Sequence, residues 1–532
     1  MNAVHSDLNP IPVWKAMPAQ TAIADGKGSD IAIVGGGPVG LTLALDLGRR
    51  GHRVSLFTRL GFIAAGSKAI CFSKRTLEIW DRLGLGQAIV DEGVSWNIGK
   101  VFWGGREHPL FSFEVQKVDR QKRPAFVNLP QYRVEEHLVA ALANLPNVNI
   151  YWAHEVIAVR PGEHSVGLSV ATPDGPREHE TGWLVACDGS HSPVRNLLGL
   201  DFKGREFEDH FLIADIEVMG ERPAERCFWF DPPFNPGQSA LFHKQPGHIW
   251  RLDFQLGREI DRAAWSEPGR IDGLVREMLG TDCRFRHVWS SIYKFQCRRM
   301  ERFVHGRTLF AGDSAHLVSP FGARGCNGGI ADSDNLAWKL DLVLRGRASA
   351  CLLESYDAEA TSAADANILA SSRSTDFMTP KSDASRILRD AVLALAVDHP
   401  FARQMVNSGR LSKAIPYPRS SLSTADEATS RWRGITPGSV AIDAPVGGGW
   451  LLDMIGNGFV LLSLRSDLPD DLPGIDHLRA ESFGPDTDLV VARYDLRPGS
   501  AYLFRPDQYV AARWRAPTLC MIAAAMKRAQ AH

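Results

Sequence analysis

Apolar and polar positions along this chain fall into three patterns. The first is a short apolar run closed by a turn. Residues 31–34 (IAIV), 53–57 (RVSLF) and 183–186 (WLVA) are of this kind, and they predict buried strands. The second is period-two alternation, as in residues 239–244 (SALFHK) and 248–256 (HIWRLDFQL), which predicts strands with two different faces. The region 200–300 therefore reads as mostly β. Residues 148–159 and 165–170 read as paired strands about Pro161-Gly162, with a further turn at Pro173-Asp174-Gly175. The third is helical. Residues 41–50 (LTLALDLGRR) follow a glycine turn directly, and residues 327–344 place Ile330, Ala337, Leu340 and Leu344 on one face. Asp332 and Asp334 near the start of that helix suit its dipole.

Beyond residue 344 the chain stays helical to about 408. Residues 409–448, rich in Ser, Thr, Pro and Gly, read as a linker. From 449 to 532 strands return at 459–464, 489–493 and 501–504, followed by a helix at 517–530. Residues 1–29 read as a flexible tail.

Composition narrows the class. The chain has 532 residues, too many for one ordinary core, so two or three domains are expected. It is 44% hydrophobic and 23% charged, with a net charge of −1. Such a balance gives no electrostatic case for nucleic acid or an anionic membrane. No run reaches the length needed to span a bilayer, and no secretory signal is visible. The 8 cysteines are scattered without a Cys-x-x-Cys pair, which argues against a zinc or iron–sulfur site and fits a reducing cytoplasm.

The chemistry starts at Gly35-x-Gly37-x-x-Gly40, with Pro38 and Val39 between the last two glycines. A strand, a tight glycine turn and a helix N-terminus make a pyrophosphate cradle. An isolated glycine turn is often only structural; here the flanking strand and helix favour a dinucleotide. The second strand ends at Thr58-Arg59, where many such folds place an acidic residue for the ribose.

Two further segments extend the pattern: Val185-Ala-Cys-Asp188-Gly189-Ser-His-Ser-Pro-Val-Arg195, and the run from Thr308 to Ile330 that contains Gly312-Asp313, Pro320, Gly325, Cys326 and Asn327. Together with the glycine motif they resemble the three signatures of class A flavoprotein monooxygenases, the aromatic hydroxylases related to 4-hydroxybenzoate hydroxylase and pentachlorophenol monooxygenase. The resemblance runs from about residue 30 to the C-terminus. It implies a Rossmann-like α/β FAD-binding domain (30–199 and 301–408), an inserted β-rich substrate domain (200–300) and a C-terminal thioredoxin-like domain (449–532). It also implies Lys68, Gln131 and Val156 as further FAD contacts, Asp188-Gly189 near both FAD and nicotinamide, and Asp313 on the ribityl chain. Arg195 is a candidate to complement phosphate charge. Cys326 reads as a small filler and His316 as a structural hydrogen bonder.

The reaction implied is hydroxylation of a phenolic or related aromatic substrate. NADH or NADPH reduces non-covalently bound FAD, and reduced flavin traps dioxygen as a C4a-hydroperoxide. His243, Arg251 and Asp253 are candidate substrate contacts on the predicted β-rich sheet, against a plain reading as solvent-facing strand residues. No catalytic base is identified. A homodimer fits the resemblance. The alternatives are an FAD-dependent reductase of the same superfamily and a non-catalytic flavin-binding module.

Overall fold

The computed structural model describes residues 13–17, 28–64, 69–114, 119–265, 267–406, 411–426 and 432–532. A mixed α/β architecture is built around two eight-stranded sheets and one four-stranded sheet. In the first sheet the order is Val148–Trp152, Val54–Thr58, Ser29–Val34, Gly175–Ala186, Val166–Thr172 and Glu155–Pro161, with Thr308–Phe310 also on Gly175–Ala186. The first four strands and Thr308–Phe310 are parallel. Parallel strands are covered on both faces, so Ile31, Ala32, Ile33, Leu184, Val185 and Ala186 are fully buried and read as continuous apolar runs. Helix Pro38–Arg49 seals the sheet with Leu41, Leu43, Ala44 and Leu47.

Residues 1–29 do not all form a tail. Val13–Ala16 pairs antiparallel with Phe62–Ala64, and Ser29 opens the first strand. The strand Val13–Ala16 keeps Trp14 and Lys15 exposed, so it leaves no hydrophobic signature in the sequence.

The second sheet runs His316–Leu317, Phe285–Arg299, Lys203–Val218, Ile249–Gly257, Ser239–Lys244, Arg226–Phe230, Ile98–Trp103 and Phe111–Glu114. It therefore extends beyond 200–300 and recruits two strands from the N-terminal third. One face (Ala214, Ile216, Leu252, Phe254) packs on Ile271 and Val275 of helix Pro268–Leu279. The opposite face (Phe211, Phe228, Phe230, Leu241) packs on Phe321 and on helix Asp383–Ala396. A three-stranded sheet, Cys71–Ser73, Phe126–Asn128 and Val94–Ser95, makes a further small layer.

The four-stranded sheet near the C-terminus runs Ile475–Arg479, Phe459–Ser463, Ala501–Phe504 and Val510–Trp514. Residues 489–493, expected as a strand, belong instead to helix Thr487–Tyr494. The reason is spacing: Val490 and Tyr494, four apart, are the buried positions. Residues 411–426 and 432–448 are mostly irregular, as a linker would be, yet they are packed. Leu411, Tyr417, Leu422, Ala441 and Ala444 are buried, and Tyr417 N donates to Gly438 O (2.7 Å) and Thr424 N to Ala511 O (2.8 Å). Polar composition reports missing regular pairing, not missing burial.

This C-terminal unit is joined to the first sheet by buried charge. Arg505 Nη1 donates to Glu359 Oε1 (2.6 Å), and Lys339 Nζ donates to Glu359 Oε2 (2.8 Å). Arg75 donates to Asp334 Oδ2 (2.8 Å), Gln508 Oε1 (2.6 Å) and Asp507 O (2.8 Å). Arg82 donates to the other oxygen of Asp334 (2.7 Å) and to Asp46. Asp334 and Lys339 lie on helix Gly325–Leu344, which also lends Trp338 and Leu342 to the C-terminal core.

Candidate functional site

The carboxyl ends of the parallel strands gather the three sequence motifs at one edge. Gly35 N donates to Phe57 O (2.8 Å), Cys187 N to Val34 O (2.7 Å) and Ala311 N to Ala186 O (3.0 Å). Open α/β sheets bind ligands at this edge. Gly35 has φ +121°, and a Cβ there would lie 2.2 Å from Cys187 O. A Cβ on Gly40 would lie 2.1 Å from Gly35 O, so its bare backbone lets helix Pro38–Arg49 start against the turn. Gly37 differs: a Cβ there would have nothing within 4 Å. It is the N-cap of that helix, without a side-chain cap and without an acidic residue in the first turn. Uncapped N–H groups beside open space suit a diphosphate, so this cradle fits FAD.

The second and third motifs support the cradle. Asp188 Oδ2 accepts from Val194 N (3.0 Å), and burial raises its pKa against that bond. Gly189, at φ +86°, turns the chain with open space around it. Arg195 is buried, not free for phosphate: Nη1 and Nη2 donate to Ser314 O and Ser190 O, both at 2.8 Å, tying the second motif to the third. Gly312 N donates to Asp332 Oδ2 (3.0 Å), which also pairs with His316 Nε2 (2.7 Å). Burial opposes charge on His316, but Asp332 outweighs it and the pKa is raised. His316 is thus a structural partner of Asp332. Asp313 is exposed at the loop, with Oδ1 4.0 Å from where a Cβ of Gly325 would lie.

The other expected contacts divide. Thr58 is buried at the end of its strand, 3.0 Å from a Cβ on Gly36, and Arg59 beside it is exposed. Gln131 accepts from Ala69 N (3.1 Å) and donates to Glu135 Oε1 (2.8 Å). Lys68 lies outside the described residues. Val156 has its side chain in the core and its backbone paired with Val170, so its side chain is not presented to a ligand. Asn327 is committed to the protein: Oδ1 accepts from Ser73 N (2.9 Å) and Thr76 Oγ1 (2.6 Å), and Nδ2 donates to Cys71 O (2.9 Å) and Ala323 O (2.5 Å). It fixes the loop 320–327, which carries exposed Pro320 and leads into Gly325 at the start of the long helix. Burial pushes the Cys326 thiol far up, so it is a filler and not a thiolate.

His243, Arg251 and Asp253 are not solvent-facing. His243 and Arg251 are 5% and 2% exposed, and they oppose each other across neighbouring strands. Arg251 Nε and Nη2 donate to Asp215 Oδ1 and Oδ2 (2.8 Å each), and Gln245 Nε2 joins at 2.9 Å. His243 Nε2 pairs with Asp253 Oδ2 (3.0 Å). Burial lowers the His243 pKa more than Asp253 raises it, so the ring is neutral at pH 7. Tyr132 and Tyr293 lie within electrostatic reach of the Arg251–Asp215 pair, and burial keeps both phenols protonated. The sequence reading missed Arg226, which is 4% exposed beside this cluster. Its signal is the strand RCFWF, where arginine is in phase with buried Phe228 and Phe230.

Known proteins share this organisation. A sequence profile described as FAD binding domain matches residues 28–371. A 12-dehydrotetracycline 5-monooxygenase/anhydrotetracycline 6-monooxygenase of Streptomyces rimosus is 32% identical over 344 residues, 62% of this chain and 66% of that protein. A 3-(3-hydroxy-phenyl)propionate/3-hydroxycinnamic acid hydroxylase of Klebsiella pneumoniae is 30% identical over 366 residues, 68% of this chain and 65% of that protein. The match thus spans just under two thirds of each relative. Among solved structures, the flavin-dependent monooxygenase PieE in complex with FAD and substrate superposes with a TM-score of 0.81 at 21% identity, over 96% of this chain and 100% of that one. Aklavinone-11 hydroxylase with FAD and aklavinone gives a TM-score of 0.76 at 21% identity, over the same shares. At such identity the likeness speaks for the fold, C-terminal unit included. With the profile covering more than half of its length and the glycine cradle in place, the chain belongs to the FAD binding domain family.

Proposed function

We propose that the chain is an FAD-dependent, NAD(P)H-consuming monooxygenase that hydroxylates a phenolic or related aromatic substrate. One observation carries the reading. The loop 320–327, at the edge where the three motifs meet, contacts the second sheet through Phe321, whose ring lies 5.3 Å from Phe211 and 6.0 Å from Phe295. The same face of that sheet bears the His243–Asp253 and Arg251–Asp215 pairs. A redox cofactor site thus borders an aromatic wall with a few placed polar groups, which is what a small aromatic substrate needs. The relatives named as monooxygenase and hydroxylase favour the same reading.

Bound FAD supplies the redox chemistry, by which NAD(P)H, a proton and dioxygen convert an aromatic C–H to C–OH with release of water. The backbone around Gly35, Gly37, Pro38, Val39 and Gly40 would hold the diphosphate, and Asp313 a ribityl hydroxyl. Thr58 and Gln131 are adjacent contacts, and Asp188-Gly189 borders the cofactor and the passing nicotinamide. Phe211, Phe295 and Phe321 exclude water. His243 Nδ1 is buried without a hydrogen-bond partner on a neutral ring, so it is suited to take a phenolic proton. The first sheet and its helices form the FAD unit and the second sheet the substrate unit. The C-terminal four-stranded sheet, with apolar cores on both faces, is read as thioredoxin-like. It lacks a Cys-x-x-Cys, and its role is packing.

The test is a screen of phenols and aromatic acids for stimulated NAD(P)H oxidation, followed by labelled dioxygen. Label in the product supports hydroxylation. Stimulated oxidation with product that never carries label supports the reductase reading, and no stimulation by any compound supports a binding module. Acid precipitation releases yellow FAD into the supernatant; flavin retained in the pellet contradicts non-covalent binding.

A further inference from the structure

The outer face of helix Asp383–Ala396 is apolar and uncovered. Its inner face is buried through Arg389, Val392, Leu393 and Ala396, the last three in the core shared with Phe211, Phe230 and Phe321. The opposite stripe carries Ala384, Ile387, Leu388, Ala391, Ala394 and Leu395, and each of these is exposed. Ile387 and Leu388 are 70% and 63% exposed, more than any other large apolar side chain among the described residues. The next helix, Pro400–Met405, adds exposed Phe401 and Met405, four positions apart. A helix that is apolar on every side is ordinarily covered on every side.

The pattern of the stripe points to what covers it. Positions 384, 387, 391 and 394 alternate steps of three and four, the seam by which one helix packs on another. Alanine at 384, 391 and 394 lets two backbones approach closely, while Ile387, Leu388 and Leu395 supply the bulk that fills the gaps. The stripe is also self-complementary. Across a two-fold axis at Ala391, with the helices antiparallel, Leu388 meets Ala394 of the partner subunit and Ile387 meets Leu395 of the partner subunit.

The area fits a pair of copies. With roughly 200 Å² for a fully exposed large apolar side chain, the stripe with Phe401 and Met405 offers about 600 Å² per copy, against about 800 Å² per partner in a stable interface. The polar rim of Ser385, Arg386 and Asp390 supplies the remainder. The helix is also fixed in place. Ser382 and Ser385 form a capping box at its start, and Lys381 pairs with Asp209 of the second sheet. Arg403 Nε and Nη2 donate to Ala396 O (2.8 Å) and Val397 O (2.7 Å), joining the two helices. Charge argues against a lipid surface as the occupant. Lys381 is paired with Asp209 and Arg389 with Asp390, while Asp383 and Asp398 balance Arg386 and Arg403. Such a surround has no basic excess to draw an anionic bilayer.

We propose that the chain forms a two-fold dimer through this stripe. Helix Asp383–Ala396 of one copy lies antiparallel on that of the other, and Phe401 and Met405 extend the contact. The inner face of the same helix closes the apolar wall of the second sheet, so pairing clamps that wall from outside. The proposal does not depend on the reaction assigned above.

The test uses the FAD-loaded chain. Sedimentation equilibrium is expected to give the mass of two chains at micromolar concentration. Ile387→Glu/Leu388→Glu is expected to sediment as one chain, its dissociation constant raised about a hundredfold or more, because carboxylates buried in the seam lack partners. Both positions face outward, so FAD content and circular dichroism stay at wild-type values. A second measurement reads the geometry. With exposed Cys351 and Cys520 replaced by Ser, Ala391→Cys should link to its own copy under a mild oxidant. Ala384→Cys should not, since its two copies would stand about 20 Å apart along the helices. A monomer at every concentration, a dimer that survives Ile387→Glu/Leu388→Glu, or linking through position 384 and not through 391 overturns the proposal. Neutral phosphatidylcholine vesicles are the remaining arm. A wild-type monomer that floats with them, and a double variant that does not, assigns the face to lipid and overturns the dimer.

Discussion

Replacing Arg505 by Met tests how the C-terminal unit is held. Arg505 is fully buried and donates to Glu359 at 2.6 and 3.0 Å and to Asp507 Oδ1 at 2.9 Å. Its guanidinium also lies 5.3 Å from the Trp338 ring. After substitution Glu359 keeps Lys339 (2.8 Å) and Asn335 (2.7 Å). Asp507 fares worse, because it loses the bonds from Arg505 and remains a buried carboxylate. Removing one partner of a buried pair costs about 3–5 kcal/mol. Most of that is the penalty on the stranded charge, so Arg505→Met/Asp507→Leu should recover part of it, with a coupling of about 1–3 kcal/mol. Urea unfolding followed by tryptophan fluorescence measures both, with Trp338 as a local reporter. A single variant within about 1 kcal/mol of the parent, or a double variant as unstable as the sum of its parts, would refute the reasoning.

Three other outcomes follow from the site. Gly37→Val leaves the apoprotein's melting temperature unchanged, since its Cβ meets nothing within 4 Å, but abolishes FAD loading; Gly40→Val, aimed at Gly35 O from 2.1 Å, impairs folding itself. The opposite ranking of apoprotein stabilities would remove the cradle argument. Asp313→Ala weakens FAD affinity about ten- to a hundredfold by loss of a charge-assisted hydrogen bond, measured by flavin fluorescence quenching; unchanged affinity takes Asp313 out of the site. Burial works against the charges of Asp46 and Glu359, but Arg50 and Arg82, and Arg505 and Lys339, hold both carboxyls far below their usual range. The folded state then binds fewer protons than the unfolded one, so their stabilisation is present above about pH 4 and is lost as pH falls below it. Asp334, raised by burial beyond what Arg75 and Arg82 offset, works in the opposite direction. Equal stability at pH 6 and at about pH 3 would contradict the assignment.

The glycine cradle was fully legible because its logic is local. A run of apolar residues, a turn that needs a bare backbone and a helix start lie within residues 31–50. The period-two runs at 239–244 and 248–256 likewise announced their strands. The strand expected at 489–493 failed because LVVAR is apolar enough for either element, and only the packing of Val490 and Tyr494 selects helix. Arg195 illustrates the limit for charges. From sequence it is a cation near a phosphate motif; in the fold both ends of its guanidinium are spent on main-chain carbonyls.

By itself, the sequence determined the dinucleotide turn, the order of the three motifs and the alternating faces of the second sheet. All of these are written in short-range spacing. Tertiary structure alone decided which charges are paired and which are not. His243 meets Asp253, Arg251 meets Asp215 and Arg505 meets Glu359, while Arg226 meets rings. Arg505 and Glu359 lie 146 positions apart. A buried charge's partner is set by where distant strands and helices are brought together, and no local pattern encodes that distance.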